Sequence, residues 1–210
     1  MPVIDPERFE QGLPLAVWAR EKQDAHHQQQ MEAVATSTTL AAEDEAFFRS
    51  LPRPVRLLVI NEECGSSTQC VGVLKKVVAV AGEEKLRVRI FERREAPDLM
   101  QRYRKEGRYE AVPVFIALDE QLNEAAVMYE HPPSLDRLIA EHRREFFRRH
   151  QLPEESSLGD LPLEVQRAWV ADYRQLRDQR QDWINQQVVS EVRRLVEAAL
   201  GQDATVSRTA

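Results

Sequence analysis

The stretch Val55–Val80 constrains the chain more than any other. It reads V-R-L-L-V-I, then N-E-E-C-G-S-S-T-Q-C, then V-G-V-L-K-K-V-V-A-V. The short, β-branched apolar run predicts a fully buried strand over Val55–Ile60. Val71, Leu74, Val77 and Val78 recur at helical spacing, so a helix is predicted from Ser66 or Ser67 to about Val80, with Ala81-Gly82 as its C-cap. Between them lies a polar loop, and this region carries both cysteines of the chain, Cys64 and Cys70. A strand that delivers Cys64 to the first turn of a helix sets its sulfur beside orphan backbone N–H groups and the positive end of the helix dipole. A thiolate is favoured there.

The rest of the chain alternates strands and helices around that stretch. Leu86–Phe91 alternates at period two and reads as a half-buried strand. Pro97 opens a helix with Leu99, Met100 and Tyr103 facing inward, and Gly107 closes it. V-P-V-F-I-A-L-D is a strand led by proline, a turn follows at Asp119–Asn123, and Ala125–Tyr129 is a last strand. His131-Pro132-Pro133 stops it, and Ser134 caps a helix over Leu135–His150. Upstream, Met1–Leu13 is a Pro-punctuated lead-in. Pro14 then opens a helix bearing Leu15, Trp18, Met31 and Val34, and a second short helix spans Ala41–Phe48. Downstream, no Gly or Pro falls between Leu163 and Leu200. That span predicts either one projecting helix of about 57 Å, pairing with a second copy as a homodimer, or two helices broken near Arg180 and folded back. Gly201–Ala210 is expected to be disordered.

Composition narrows the classes of function. With 42% hydrophobic and 30% charged residues the chain is that of an ordinary globular protein. Its net charge of −6 argues against nucleic acid as the main partner. The arginines of R-R-E-F-F-R-R-H alternate with an apolar stripe and read as a solvated face. No apolar run reaches the length of a membrane span, so no membrane partner is expected. M-P-V-I-D-P-E-R-F-E shows neither the basic nor the apolar region of a secretory signal, which predicts a cytoplasmic protein whose two cysteines serve chemistry. His26 and His27 would point about 100° apart on a helix, and with Glu62 and Glu63 they show no chelate spacing. No metal or other cofactor is expected.

The β-α-β-α-β-β-α order over residues 55–150, with Cys64 after the first strand and Pro113 before the third, resembles a thioredoxin fold. V-I-N-E-E-C-G-S-S-T-Q, D-L-M-Q-R-Y, V-P-V-F-I-A-L-D and the closing H-P-P resemble, more closely, a thioredoxin-like subfamily of bacterial proteins with helices on both sides of the core. The resemblance covers roughly residues 14–200. It implies an α/β architecture with a central mixed four-stranded sheet. The expected divisions are an N-terminal helical extension over 1–54, a thioredoxin-like domain over 55–150 and a C-terminal helical extension over 151–210. It also implies that Cys64 is the nucleophile, that Ser67 stands where a C-x-x-C pair has its second cysteine, and that the Val112–Pro113 bond is cis, with the Val112 backbone docking an extended substrate. The implied partner is a protein disulfide or a low-molecular-weight thiol.

Three departures from the family pattern bear on chemistry. Glu63 replaces the usual tryptophan, and its charge opposes ionisation of the neighbouring thiol. Ser67 removes the resolving cysteine. Leu58 occupies the place of the buried carboxylate six residues before the nucleophile. Cys70 as a substitute resolver lies about 10 Å from Cys64 along a helix, beyond the roughly 7 Å reach of a disulfide, so a bridge needs the helix start to unwind. Buried hydrophobe is the simpler role for Cys70. His131 falls at the end of the strand beside Pro113, either as a cation that helps ionise Cys64 or as a plain loop residue. Three functions follow in order: a monothiol redox protein working through Cys64, a redox-silent interaction module, and a Cys64/Cys70 peroxidase-like cycle.

Overall fold

A computed structural model describes residues 2–201. The chain begins α1 (Pro6–Gln11), β1 (Leu13–Pro14), α2 (Leu15–Glu21), α3 (Ala25–Ser37) and α4 (Ala42–Arg49). It continues β2 (Val55–Asn61), α5 (Gly65–Ala81), β3 (Leu86–Glu92), α6 (Pro97–Arg102), β4 (Val114–Leu118) and β5 (Glu124–Tyr129). It closes with α7 (Pro133–Arg149), α8 (Leu163–Gln179) and α9 (Gln181–Leu200). The predicted tail from residue 202 onward lies outside the described residues.

The sheet runs β1-β3-β2-β4-β5, with β2 parallel to β3 and every other pair antiparallel. Strand β2 is central because both of its faces are apolar. Leu57 and Val59 enter one core with α5 and α9, while Leu58 and Ile60 enter the other with α6 and the N-terminal Phe9. Burial on both faces is what its continuous apolar run predicted. On the larger face, Trp18, Met31 and Phe48 from upstream and Val188, Val192 and Leu195 from α9 join one cluster with the sheet. The flanking helices therefore share the sheet's own core.

The structure adds three features to the expected architecture and selects between the two C-terminal alternatives. A fifth strand, β1, pairs Leu13 with Ile90 and Pro14 with Arg89. Two residues carry no periodicity, and this pairing depends on a close approach at Gly12, where a Cβ would lie 2.6 Å from the Phe91 ring. The lead-in holds α1, because Asp5 caps its N-terminus and Pro6 occupies the first turn, where no N–H is needed. The helix expected after Pro14 breaks at Lys22, and the Asp24 carboxylate starts α3 by accepting from the His27 N–H at 2.8 Å. Finally, α8 and α9 part at Arg180, and α9 folds back, burying its apolar stripe in its own chain. Among the described residues, no helix is long and apolar enough to cross a membrane.

Candidate functional site

Strand β2 ends at the fully buried Asn61, and a short turn brings Cys64 to the N-cap of α5 in extended conformation. The Cys64 side chain is half-buried, and its Sγ accepts from the Ser67 N–H at 3.4 Å. A sulfur in that position replaces the Ser, Thr, Asp or Asn that usually caps a helix. Ser67 is 1% exposed, and its Oγ lies 3.1 Å from the Cys64 sulfur, 2.6 Å from Asn61 Oδ1 and 2.6 Å from the Glu62 carbonyl. A hydroxyl has one proton. With the thiol protonated, Ser67 can give its proton to one of these oxygens and accept from sulfur; a thiolate competes with them for it.

Behind the sulfur the chain makes a cis peptide at Val112–Pro113. The Cys64 thiol lies 3.8 Å from the Val112 carbonyl, its acceptor, and the Pro113 carbonyl accepts from the Glu130 N–H at 2.7 Å. Cys64 and Val112 thus face each other across a groove, with Ser67 beneath.

Cys70 is fully buried and donates to the Glu130 carbonyl at 3.3 Å. Burial, reinforced by the nearby Cys64, pushes its thiol up to about 12, with Arg177 opposing. It remains a protonated thiol at neutral pH. His131 Nδ1 lies 3.2 Å from Asp136 Oδ1. Burial lowers its pKa below the ordinary value against the pull of Asp136 and Glu130, so the imidazole is neutral at pH 7. In that state it supplies no fixed cation to the sulfur.

Glu63, next to the thiol in sequence, contacts α3. Its Oε1 is 2.9 Å from His27 Nδ1, which is also 3.0 Å from Asp24 Oδ1. The break before α3 thus turns His27 toward the thiol loop, a contact the helical spacing of His26 and His27 did not predict. Ligand atoms of Asp24, His27 and Glu63 fall within 4.8 Å of one another. Helix capping and ion pairing account for this cluster, and both carboxylates are exposed.

A cavity of about 400 Å³ opens over the sulfur, with Cys64, Cys70, Val112, His131, Tyr173 and Arg177 among its lining residues. The last two come from α8, far along the sequence. Trp169, stacked on Tyr173 of the same helix at 5.8 Å, meets Phe146 of α7 edge-on at 5.3 Å and so ties α8 to α7. Asp172 adds contacts to His142 at 2.8 Å and Arg149 at 2.7 Å. Arg177 donates to Gln69 Oε1 at 3.1 Å, while Gln69 Nε2 donates to Asn185 Oδ1 at 2.5 Å. These polar residues tie the start of α5 to the α8–α9 junction.

A thiol capping a helix beside a cis X-Pro peptide, on a mixed sheet with β2 at its centre, defines a thioredoxin-fold protein. The thioredoxin family model matches residues 18–143, and the chain belongs to that family. Two solved structures share the fold. One is a protein of unknown function, PA1234, from Pseudomonas aeruginosa, at 17% identity and a TM-score of 0.59, with 93% of this chain and 99% of that one covered. The other is an HIV epitope-scaffold, at 17% identity and a TM-score of 0.58, with 91% and 96% covered. The search of curated proteins gives no match.

Proposed function

We propose that the protein exchanges thiols and disulfides through the single sulfur of Cys64. The carrying observation is the placement of that half-buried sulfur at the N-cap of α5, 3.4 Å from the Ser67 N–H and open to the cavity. Two orphan N–H groups, of Gly65 and Ser66, begin the same helix turn, so negative charge on sulfur is favoured by position.

The cycle needs one protein thiol. The Cys64 thiolate attacks one sulfur of a disulfide R–S–S–R′; a new Cys64–S–S–R bond forms, the old bond breaks, and R′–S⁻ leaves with the electron pair and takes a proton from water. A second small thiolate R–S⁻ attacks the R sulfur of the mixed disulfide. R–S–S–R forms and Cys64 departs as thiolate. The net change is reduction of R′ at the expense of the small thiol. A charged sulfur competes with Asn61 Oδ1 and the Glu62 carbonyl for the Ser67 proton, and the Val112 backbone borders the incoming disulfide. Cys70 takes no part, because a buried thiol pushed to about 12 is not ionised at working pH.

The test is turnover of a small disulfide with excess small thiol, followed in the wild type and in Cys64→Ser. Activity that vanishes in Cys64→Ser and persists in Cys70→Ser supports the cycle. Wild-type turnover equal to that of Cys64→Ser overturns it, and leaves the fold as a binding module.

A further inference from the structure

The helix α8 lies over the thiol, and its charge says what kind of disulfide the site takes. Gly65 opens α5, and a Cβ built on it would sit 3.6 Å from Arg177 Nη1. The guanidinium therefore lies directly over the helix turn that cradles the sulfur. Its Nη2 bonds to the Gln69 amide oxygen, a neutral partner. Among the described residues no carboxylate lies within ion-pair distance of Arg177, whereas the two acids on the cavity wall are already paired. Glu130 meets Lys105 at 2.7 Å and Glu110 meets Arg104 at 3.3 Å. The cavity thus holds one half-buried, uncompensated cation, set beside N–H groups that also seek negative charge. A guanidinium fork matches a carboxylate.

The cavity also suits a small ligand. Tyr173, Arg177 and Val112 line a half-open space of about 400 Å³, in the range that takes a small molecule. Resting on the monothiol reading above, we propose that the substrate is a small disulfide bearing a carboxylate, which Arg177 binds while Cys64 attacks the sulfur. Arg177 selects the substrate by charge. The bonds made and broken are those of the exchange already written, with the carboxylate-bearing thiol as both R group and reductant.

The experiment measures the second-order rate of adduct formation at Cys64 by quenched-flow mass spectrometry. Oxidised glutathione serves as the anionic disulfide and bis(2-hydroxyethyl) disulfide as the neutral one, with the wild type, Arg177→Met and Arg177→Lys. The expected result is that Arg177→Met slows the anionic disulfide about tenfold more than the neutral one, the loss of one charge-assisted contact. Arg177→Lys should fall between. Equal slowing of both disulfides by Arg177→Met would reduce Arg177 to a structural prop of α8 and overturn the inference, as would an unchanged anionic rate. A wild type that reacts with neither disulfide would instead sink the monothiol reading, and this inference with it.

Discussion

At the scale of single residues, chemistry at this site turns on which polar groups already have partners. Ser67 illustrates the cost of disturbing them. Replacing it with Ala leaves Asn61 Oδ1 and the Glu62 carbonyl without the hydroxyl now 2.6 Å from each. An orphaned buried acceptor costs about 1–3 kcal/mol. Ser67→Ala should therefore lower unfolding stability by that amount in urea titration, as well as slow Cys64. His131 gives a pH signature. Its folded pKa lies below its ordinary value, so the unfolded chain binds the proton first as pH falls. The stability it allows is fully present above the unfolded pKa, near 6.5, and is lost as pH drops toward the folded value. Thermal melts between pH 7.5 and 5 should show that loss, and His131→Gln should flatten it. Local pattern placed Cys64 at a strand-to-helix turn, and the resemblance to the thioredoxin fold pointed to Ser67 and the cis bond. The sequence concealed Arg177, Tyr173 and the Glu63–His27 contact, because these depend on where distant helices come to rest. Arg177 sat within a polar run, R-D-Q-R-Q-D, that reads as a solvated helix centre.

At the scale of elements, close approach decides more than propensity. Helix α3 crosses α5 at Gly72, where a Cβ would lie 2.8 Å from Val34 Cβ and 3.1 Å from the Met31 carbonyl. Alanine in a helix gains about 1 kcal/mol over glycine. Forcing two helices apart costs about 1–3 kcal/mol, and neither the branched Val34 nor a backbone carbonyl can swing away. Gly72→Ala should thus be net destabilising, lowering the melting temperature in calorimetry despite the better helix former. Nothing in the sequence marks Gly72 as a crossing point, since a lone glycine within an apolar stripe reads simply as a weak spot. The break at Arg180 was legible as one of two alternatives. The structure selects it because α9 has an apolar stripe to bury, whereas α8 has no fully buried residue.

For the whole molecule, the terminal helices are parts of one fold. Helix α9 places Leu195 fully inside the sheet's larger core. Leu195→Ala should cost about 2–5 kcal/mol, while Leu163→Ala on α8, at 60% exposure, should stay within about 0.5 kcal/mol. Denaturant midpoints compare the two directly. The β-α-β-α-β-β-α order was readable because strands and helices announce themselves by period. The roof over the thiol was not, because α8 is held by a few aromatic and charged contacts to α7. The central claim is that Cys64 alone performs exchange, and intact-mass spectrometry after incubation with a small disulfide tests it most directly. One adduct on Cys64 in the wild type and in Cys70→Ser, and none in Cys64→Ser, is the predicted result; a wild type with no adduct, or with its adduct on Cys70, would contradict it.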